Sequence, residues 1–217
     1  MSASPVRIDT LVLGPLETNC YVLRAADDCW VVDPAWPHPL LERLTDWGAA
    51  PSRILLTHGH GDHIAGAADL KAAFPDAILC CPAADAGMLT DPQANMSAVF
   101  GFSITAPEPD ELIHPGQMLH LGPTRWGVLD TAGHTRGGVS YYCREARVVL
   151  TGDALFDGSI GRTDIPGASA SRLLKSVRVT LMSLPDDTRV LAGHGPASTI
   201  GLQKAGNPFI LNSGTSR

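Results

Sequence analysis

A chain of 217 residues with 16 basic and 22 acidic side chains carries a formal net charge of −6, which disfavours a sequence-independent grip on nucleic acid or an anionic membrane. Hydrophobic residues at 44% and charged residues at 18% exclude a disordered chain. A single domain over residues 1–217 buries roughly 70% of the surface its unfolded form exposes and needs no disulfides.

The opening MSASPVRID has no basic start followed by an apolar stretch, and no window reaches the roughly 18 apolar residues of a membrane span, so a cytoplasmic protein is expected. The apolar runs VRIDTLVL (6–13), NCYVLR (19–24) and CWVVD (29–33), split by GPLET and AADD, predict an antiparallel meander. A helix is expected over 39–48, a strand over 53–57, and a second helix over 63–74 that ends at Pro75. AILCC then reads as a strand and AADAGML as a short helix. Residues Asp91 to Pro115, rich in Pro, Gly and polar side chains, read as a long excursion with one helical turn. The second half repeats the design: QMLHL, RWGVLDT, GVSYYC and ARVVL as strands, a loop to 170, a helix over 171–183, strand RVLA and a last helix after Ser198. Two sheet-rich halves, each with helices, predict two sheets packed face to face with helices outside.

The chemistry gathers at strand ends. ILLT runs into His58, VLDTAG into His134, VVLTG into Asp153 and VLAG into His194, where a sheet fixes position and a loop lets side chains converge on a shared rim. The first end, THGHGDH, holds His58, His60, Asp62 and His63. If this stretch is extended, His58, His60 and Asp62 lean one way while Asp62 and His63 diverge, so one ion cannot use all four. Five imidazoles and two carboxylates suffice for two divalent metals, with Zn2+ expected first and Fe or Mn compatible. The partition expected is His58, His60 and His134 on one ion, Asp62, His63 and His194 on the other, and Asp153 between them. His38, His114 and His120, beside Pro or inside a strand pattern, are left outside the site. The cysteines Cys20, Cys29, Cys80, Cys81 and Cys143 form no CxxC and read as core residues.

The succession THGHGDH, GHT, TGD and GHGP resembles the metallo-β-lactamase superfamily of metallohydrolases over nearly the whole chain. That resemblance implies an α/β fold, a four-layer αββα sandwich of two mixed sheets with the metals at one edge, and supports the partition above. LFDGSIGRTDIPG (155–167), LPDDTRVLAGHGPASTIG (184–201) and NPF (207–209) look like the short, glyoxalase II-like branch. The family's true β-lactamases have Cys where Asp153 stands, which argues against antibiotic hydrolysis. Flavodiiron relatives have Glu in the place of His60 and add a flavin domain. Arg136 and Gly138 stand where the family usually shows Pro and Ser, Ala192 where it often shows Pro, and Gln203 where short members show Glu.

The resemblance implies hydrolysis by a hydroxide shared between two divalent metals, with Asp62 both a ligand and the group that orients the hydroxide or takes its proton. The expected substrate is a small-molecule thioester of the hydroxyacylglutathione kind, because a thiolate with a conjugate acid near ~8.5 leaves without a strong general acid. After His194 only 23 residues follow, so the C-terminal helical domain that binds glutathione in full-length glyoxalase II is not expected here, and Arg136, Arg162 and Lys204 are the cationic candidates for substrate contact. Asp33 and Asp164 are expected to support ligands from behind. No nucleic-acid or membrane partner is expected, and a homo-oligomer is compatible with the chain. The competing reading is a persulfide dioxygenase, which would hold one iron on His58, His134 and Asp153; hydrolysis of another ester or lactone is the third.

Overall fold

The computed structural model describes residues 6–211. Its first sheet has six strands: β1 (Arg7–Leu13), β2 (Thr18–Ala25), β3 (Asp28–Val32), β4 (Arg53–Leu55), β5 (Ile78–Pro82) and β6 (Glu111–Ile113), hydrogen-bonded in sequence order. The first three run antiparallel, as the meander pattern predicts. From β3 to β6 the pairing is parallel, and the crossovers carry α1 (Pro37–Asp46), α2 (Gly61–Ile64) and α3 (Ala67–Ala73). The second sheet comprises β7 (Met118–Leu121), β8 (Thr124–Asp130), β9 (Val139–Cys143), β10 (Val148–Gly152), β13 (Arg189–Ala192) and β14 (Ser198–Thr199), with β10 and β13 the parallel pair. Between them in the chain lie the hairpin β11 (Leu155–Phe156) and β12 (Ser159–Ile160), then α4 (Ala170–Ser176); α5 (Ile200–Gly206) and α6 (Pro208–Leu211) close the chain.

Three apolar clusters separate four layers, as expected when sheets bury one face on each other and the other under helices. The central one joins the sheets through Trp30 and Trp126, whose rings lie 6.2 Å apart. A second packs Leu40, Leu44 and Leu70 of α1 and α3 on the first sheet, and a third packs Leu173 of α4 with Val177 and Leu181 on the second. This is the αββα sandwich. Among the described residues no helix is long and apolar enough to cross a membrane.

Three expectations need correction. The helix expected over 63–74 is two helices, because Gly66 donates to Pro34 O at 2.5 Å and a Cβ there would lie 2.5 Å from that oxygen. The excursion after Asp91 contains β6, a three-residue strand too short to show a period, besides the 3-10 turn Ser97–Phe100. The loop expected before residue 170 holds the β11–β12 hairpin.

The start of α4 rests directly on the loop that precedes His134. Gly133 has φ +141, and a Cβ there would lie 2.3 Å from Leu173 N. Gly133→Ala is therefore expected to lower stability by about 3 kcal/mol or more, since neither the backbone angle nor the space accepts a side chain. Denaturant unfolding of the variant checks this, and a loss under 1 kcal/mol would contradict the contact.

Candidate metal centre

All seven expected donors meet at one end of the sandwich. His58 and His60 follow β4, and His60 is the extended residue before α2, so its neighbours Asp62 and His63 lie on helical backbone. The expected divergence of Asp62 and His63 does not occur. The strand-like stretch ends at His60, and the long imidazole of His63 and the short carboxylate of Asp62 reach the same place, 3.5 Å apart. His134 comes from the loop after β8, Asp153 directly after β10, and His194 after β13.

The donors form three trios whose ligand atoms lie within 4.8 Å of one another: His58, His60 and His134; Asp62, His63 and His194; and His58, His63 and Asp153. Asp153 lies between the first two groups, with Oδ1 3.4 Å from His63 Nε2 and Oδ2 3.5 Å from His134 Nε2 and 3.6 Å from His194 Nε2. His60 Nδ1 and His134 Nε2 are 2.9 Å apart. Among the donors, His58 Nε2, His63 Nε2 and Asp153 Oδ1 are buried with no hydrogen-bond partner. Orphaned polar atoms are rare in folded interiors, and three of them facing a common point, on groups of this chemistry, fit divalent cations.

Electrostatics agree. Burial, with His63, His60 and His134 nearby, holds the His58 imidazole well below its usual range, and burial with His134 holds His60 down to about 3, so both are neutral and available as ligands. Burial disfavours a charge on His63 too, but Asp62, Asp153 and Asp33 outweigh it and push its proton affinity up. Asp62 and Asp153 are held below the usual carboxylate range: burial opposes this, and His63 and His194 overcome it.

Four of the five imidazoles are gripped from behind, which orients a ligand and sets its basicity. His63 Nδ1 meets Asp33 Oδ2 at 2.9 Å, and Thr57 Oγ1 donates to the same oxygen at 2.7 Å while lying 3.0 Å from His58 Nδ1. Thus Asp33 supports both halves of the cluster. His134 Nδ1 faces Arg162 O at 2.9 Å and His194 Nδ1 faces Leu16 O at 3.1 Å. Thr18 Oγ1 donates to Asp62 Oδ2 at 2.9 Å.

The scan against family models matches residues 13–194 to the Metallo-beta-lactamase superfamily. The chain belongs to that superfamily. It is 38% identical over 200 residues to a protein of Bacillus subtilis named probable metallo-hydrolase YqgX, covering 91% of this chain and 94% of that one. It is 32% identical over 209 residues to the hydroxyacylglutathione hydrolase GloC of Haemophilus influenzae, covering 94% and 98%. Two solved structures are each 36% identical: BLEG-1 B3 metallo-beta-lactamase, at a TM-score of 0.91 over 95% of this chain and 100% of that one, and TTHA1623 in a di-iron-bound form, at 0.85 over 93% and 99%.

Within this superfamily member, other expected residues fall differently. Arg162 lines the cleft beside the donors, but its side chain binds Asp164 at 2.8 Å and both are exposed. Asp164 supports no ligand; the support from this loop is the Arg162 carbonyl. Arg136 is exposed, packs beside Gly167 and is not among the cleft walls. Lys204 is held by Asp186 Oδ1 at 2.6 Å and Leu184 O at 3.1 Å, away from the cleft. Neither cation lines the cleft, and for Lys204 the reason is a carboxylate and a carbonyl that the sequence alone does not reveal as its partners. Gln203 is buried and donates to Asp157 Oδ1 and Ser198 Oγ, tying the tail to the hairpin after Asp153. The cysteines are free and buried, and burial pushes Cys29, Cys80 and Cys143 up to about 11, which suits core residues and not nucleophiles.

Sequence reasoning missed Asp85. It is fully buried and accepts from Gly59 N at 3.2 Å, Thr135 Oγ1 at 2.6 Å and Gly137 N at 2.7 Å. One carboxylate thereby clips the His58–His60 loop to the loop after His134. Its only sequence signal, an acid inside an apolar short helix, is weak. Asp85→Asn turns an acceptor into a donor against these groups and is expected to cost about 1–3 kcal/mol, with a fall in metal affinity, checked by thermal unfolding and metal titration of the same sample. Unchanged affinity would show that Asp85 does not align the two loops.

Proposed function

We propose that this chain is a glyoxalase II-like thioesterase that cleaves a hydroxyacylglutathione-type thioester with two divalent ions, Zn2+ first among them, in the cytoplasm. The observation that carries the hydrolase reading is the convergence of seven imidazole and carboxylate donors with three orphaned buried atoms beside an open cleft. His58, His60 and His134 would hold one ion, Asp62, His63 and His194 the other, with Asp153 shared. Bound there, divalent ions lower the pKa of water from 15.7 toward about 7 and polarise an acyl carbonyl.

The chain's own residues supply the rest. Asp62, fixed by Thr18 and partly open to the cleft, orients the attacking water and takes its proton at Oδ1 or Oδ2. Among the described cleft residues there is no Lys, Tyr, Cys or Glu to protonate a leaving group, which suits a thiolate better than an alkoxide. The likeness to GloC supports the thioester reading. The acidic net charge supports a small-molecule partner and not nucleic acid.

The test is turnover of S-D-lactoylglutathione by purified protein of measured metal content, without oxygen. Metal-dependent loss of the thioester is expected. No turnover at full metal occupancy would overturn the reading, and oxygen uptake with glutathione persulfide or hydrolysis of another ester or a lactone would replace it. Chelation should also lower Tm by about 8–16 °C. A ligand present at 1,000 times its Kd stabilises by about 4.1 kcal/mol, and each kcal/mol shifts Tm by about 2–4 °C at this size.

A further inference from the structure

The cleft that contains His60, Asp62, His134, Asp153 and His194 has an apolar wall. Leu13 at the end of β1, Leu16 of the β1–β2 turn, Trp36, Phe100, Phe102 and Ile104 line it. Trp36 and Phe102 meet edge to face with ring centres 6.2 Å apart. Phe100 is 50% exposed, Phe102 39% and Leu16 38%. Single exposed apolar residues are ordinary, but a cluster of them opening on a reactive centre marks a ligand surface.

This wall is held at a set distance from the donors. Asn95, fully buried, donates from Nδ2 to Met88 O at 3.1 Å and Ile104 O at 2.9 Å, while its Oδ1 accepts from Ser97 N at 3.0 Å. Its carbonyl accepts from Gly61 N at 2.8 Å, at the first residue of the helix that carries Asp62 and His63. A Cβ at Gly61 would lie 2.7 Å from Ser97 Cβ, so helix and wall are in direct contact. The aromatic side is therefore part of the centre's own scaffold.

Two arms leave the carbonyl of a hydroxyacylglutathione. The thiol arm carries two carboxylates and an ammonium group, and Arg162, shared with Asp164, is the one Lys or Arg among the described cleft residues. Burying charge against apolar side chains without partners is costly. The charged arm therefore belongs at the open Arg162 side, and the wall is left for the other arm.

We propose that the wall formed by Trp36, Phe100 and Phe102 binds an apolar side chain on the acyl group, so that the preferred substrates are thioesters of 2-hydroxy acids with aromatic or bulky aliphatic side chains. This deepens the thioesterase reading and rests on it. The reaction is plain hydrolysis: the water oxygen bonds to the acyl carbon, the C–S bond breaks with its electron pair on sulfur, and the water protons end on the thiol and in solvent. Nothing is oxidised or reduced.

Two pairs of compounds that differ by one phenyl group provide the test. Calorimetry on the metal-loaded protein compares 2-hydroxy-3-phenylpropionate with lactate, and kcat/KM is compared for their glutathione thioesters. At least tenfold tighter binding and at least tenfold higher kcat/KM are expected for the phenyl compounds, in the range a hydrophobic pocket delivers. In Phe102→Ser and in Phe100→Ser, both half-exposed and so free of core packing, both ratios should fall at least threefold. Equal binding of the two acids, or ratios unmoved by both variants, would overturn the subsite. Tighter phenyl binding lost in the variants but with neither thioester turned over would support the subsite and overturn the thioesterase reading.

Discussion

Asp153→Asn is expected to lower kcat/KM on a thioester by at least about a thousandfold, the scale of loss when one member of a cooperating set is removed. The residue follows β10 at a turn where Gly152 has φ +47 and Gly193 N donates to Gly152 O at 2.8 Å. A Cβ on Gly193 would lie 2.1 Å from Asp153 Oδ1, and one on Gly161 1.9 Å from Asp153 O, so the carboxylate sits in a slot cleared by glycines. From that slot its two oxygens face His63 on one side and His134 and His194 on the other. The amide keeps the shape but removes the charge and turns one acceptor into a donor, so it cannot offer an oxygen to each of two ions. Metal per chain should fall together with turnover, since the shared ligand serves both proposed ions. Full metal content with activity within tenfold of the parent would overturn the shared role.

Asp33→Asn should weaken metal binding by about 10–100-fold, the usual cost of losing a group that orients ligands. Asp33 is 1% exposed and has φ +53. It accepts from Thr57 N at 2.8 Å and Thr57 Oγ1 at 2.7 Å, and meets His63 at 2.9 Å. An asparagine can satisfy these donors with one oxygen only, and its NH2 must face an N–H or O–H, at about 1–3 kcal/mol. The loss should appear on both halves of the centre, because Thr57 passes the support on to His58. Metal titration followed by thermal unfolding of the apo and loaded forms separates the effects. A variant that loses stability but binds metal as tightly as the parent would make Asp33 a fold residue alone.

The donors themselves were legible in the sequence because each follows a strand pattern through a small residue, a local signal that survives without coordinates. Strands β1 to β5 and helix α1 were legible for the same reason: their apolar periods are local. What the pattern misjudged has one local cause and one long-range cause. The backbone turns helical after His60, so Asp62 and His63 converge where an extended stretch would part them. The break at Gly66 comes from the approach of Pro34, 32 residues earlier in the chain.

The partners of charged side chains are long-range facts. Lys204 turns to Asp186, 18 residues earlier, and Asp85 bridges loops 26 and 52 residues away. No period or spacing encodes such pairings. The sequence by itself determined which residue types gather at one rim and hence the class of chemistry, because metal donors are chemically distinctive and strand ends are periodic. Only the tertiary structure decided that Thr57 and Asp85 join Asp33 in holding the donors and their loops, and which wall the cleft offers a substrate, because those depend on packing between sheets and loops far apart in the chain.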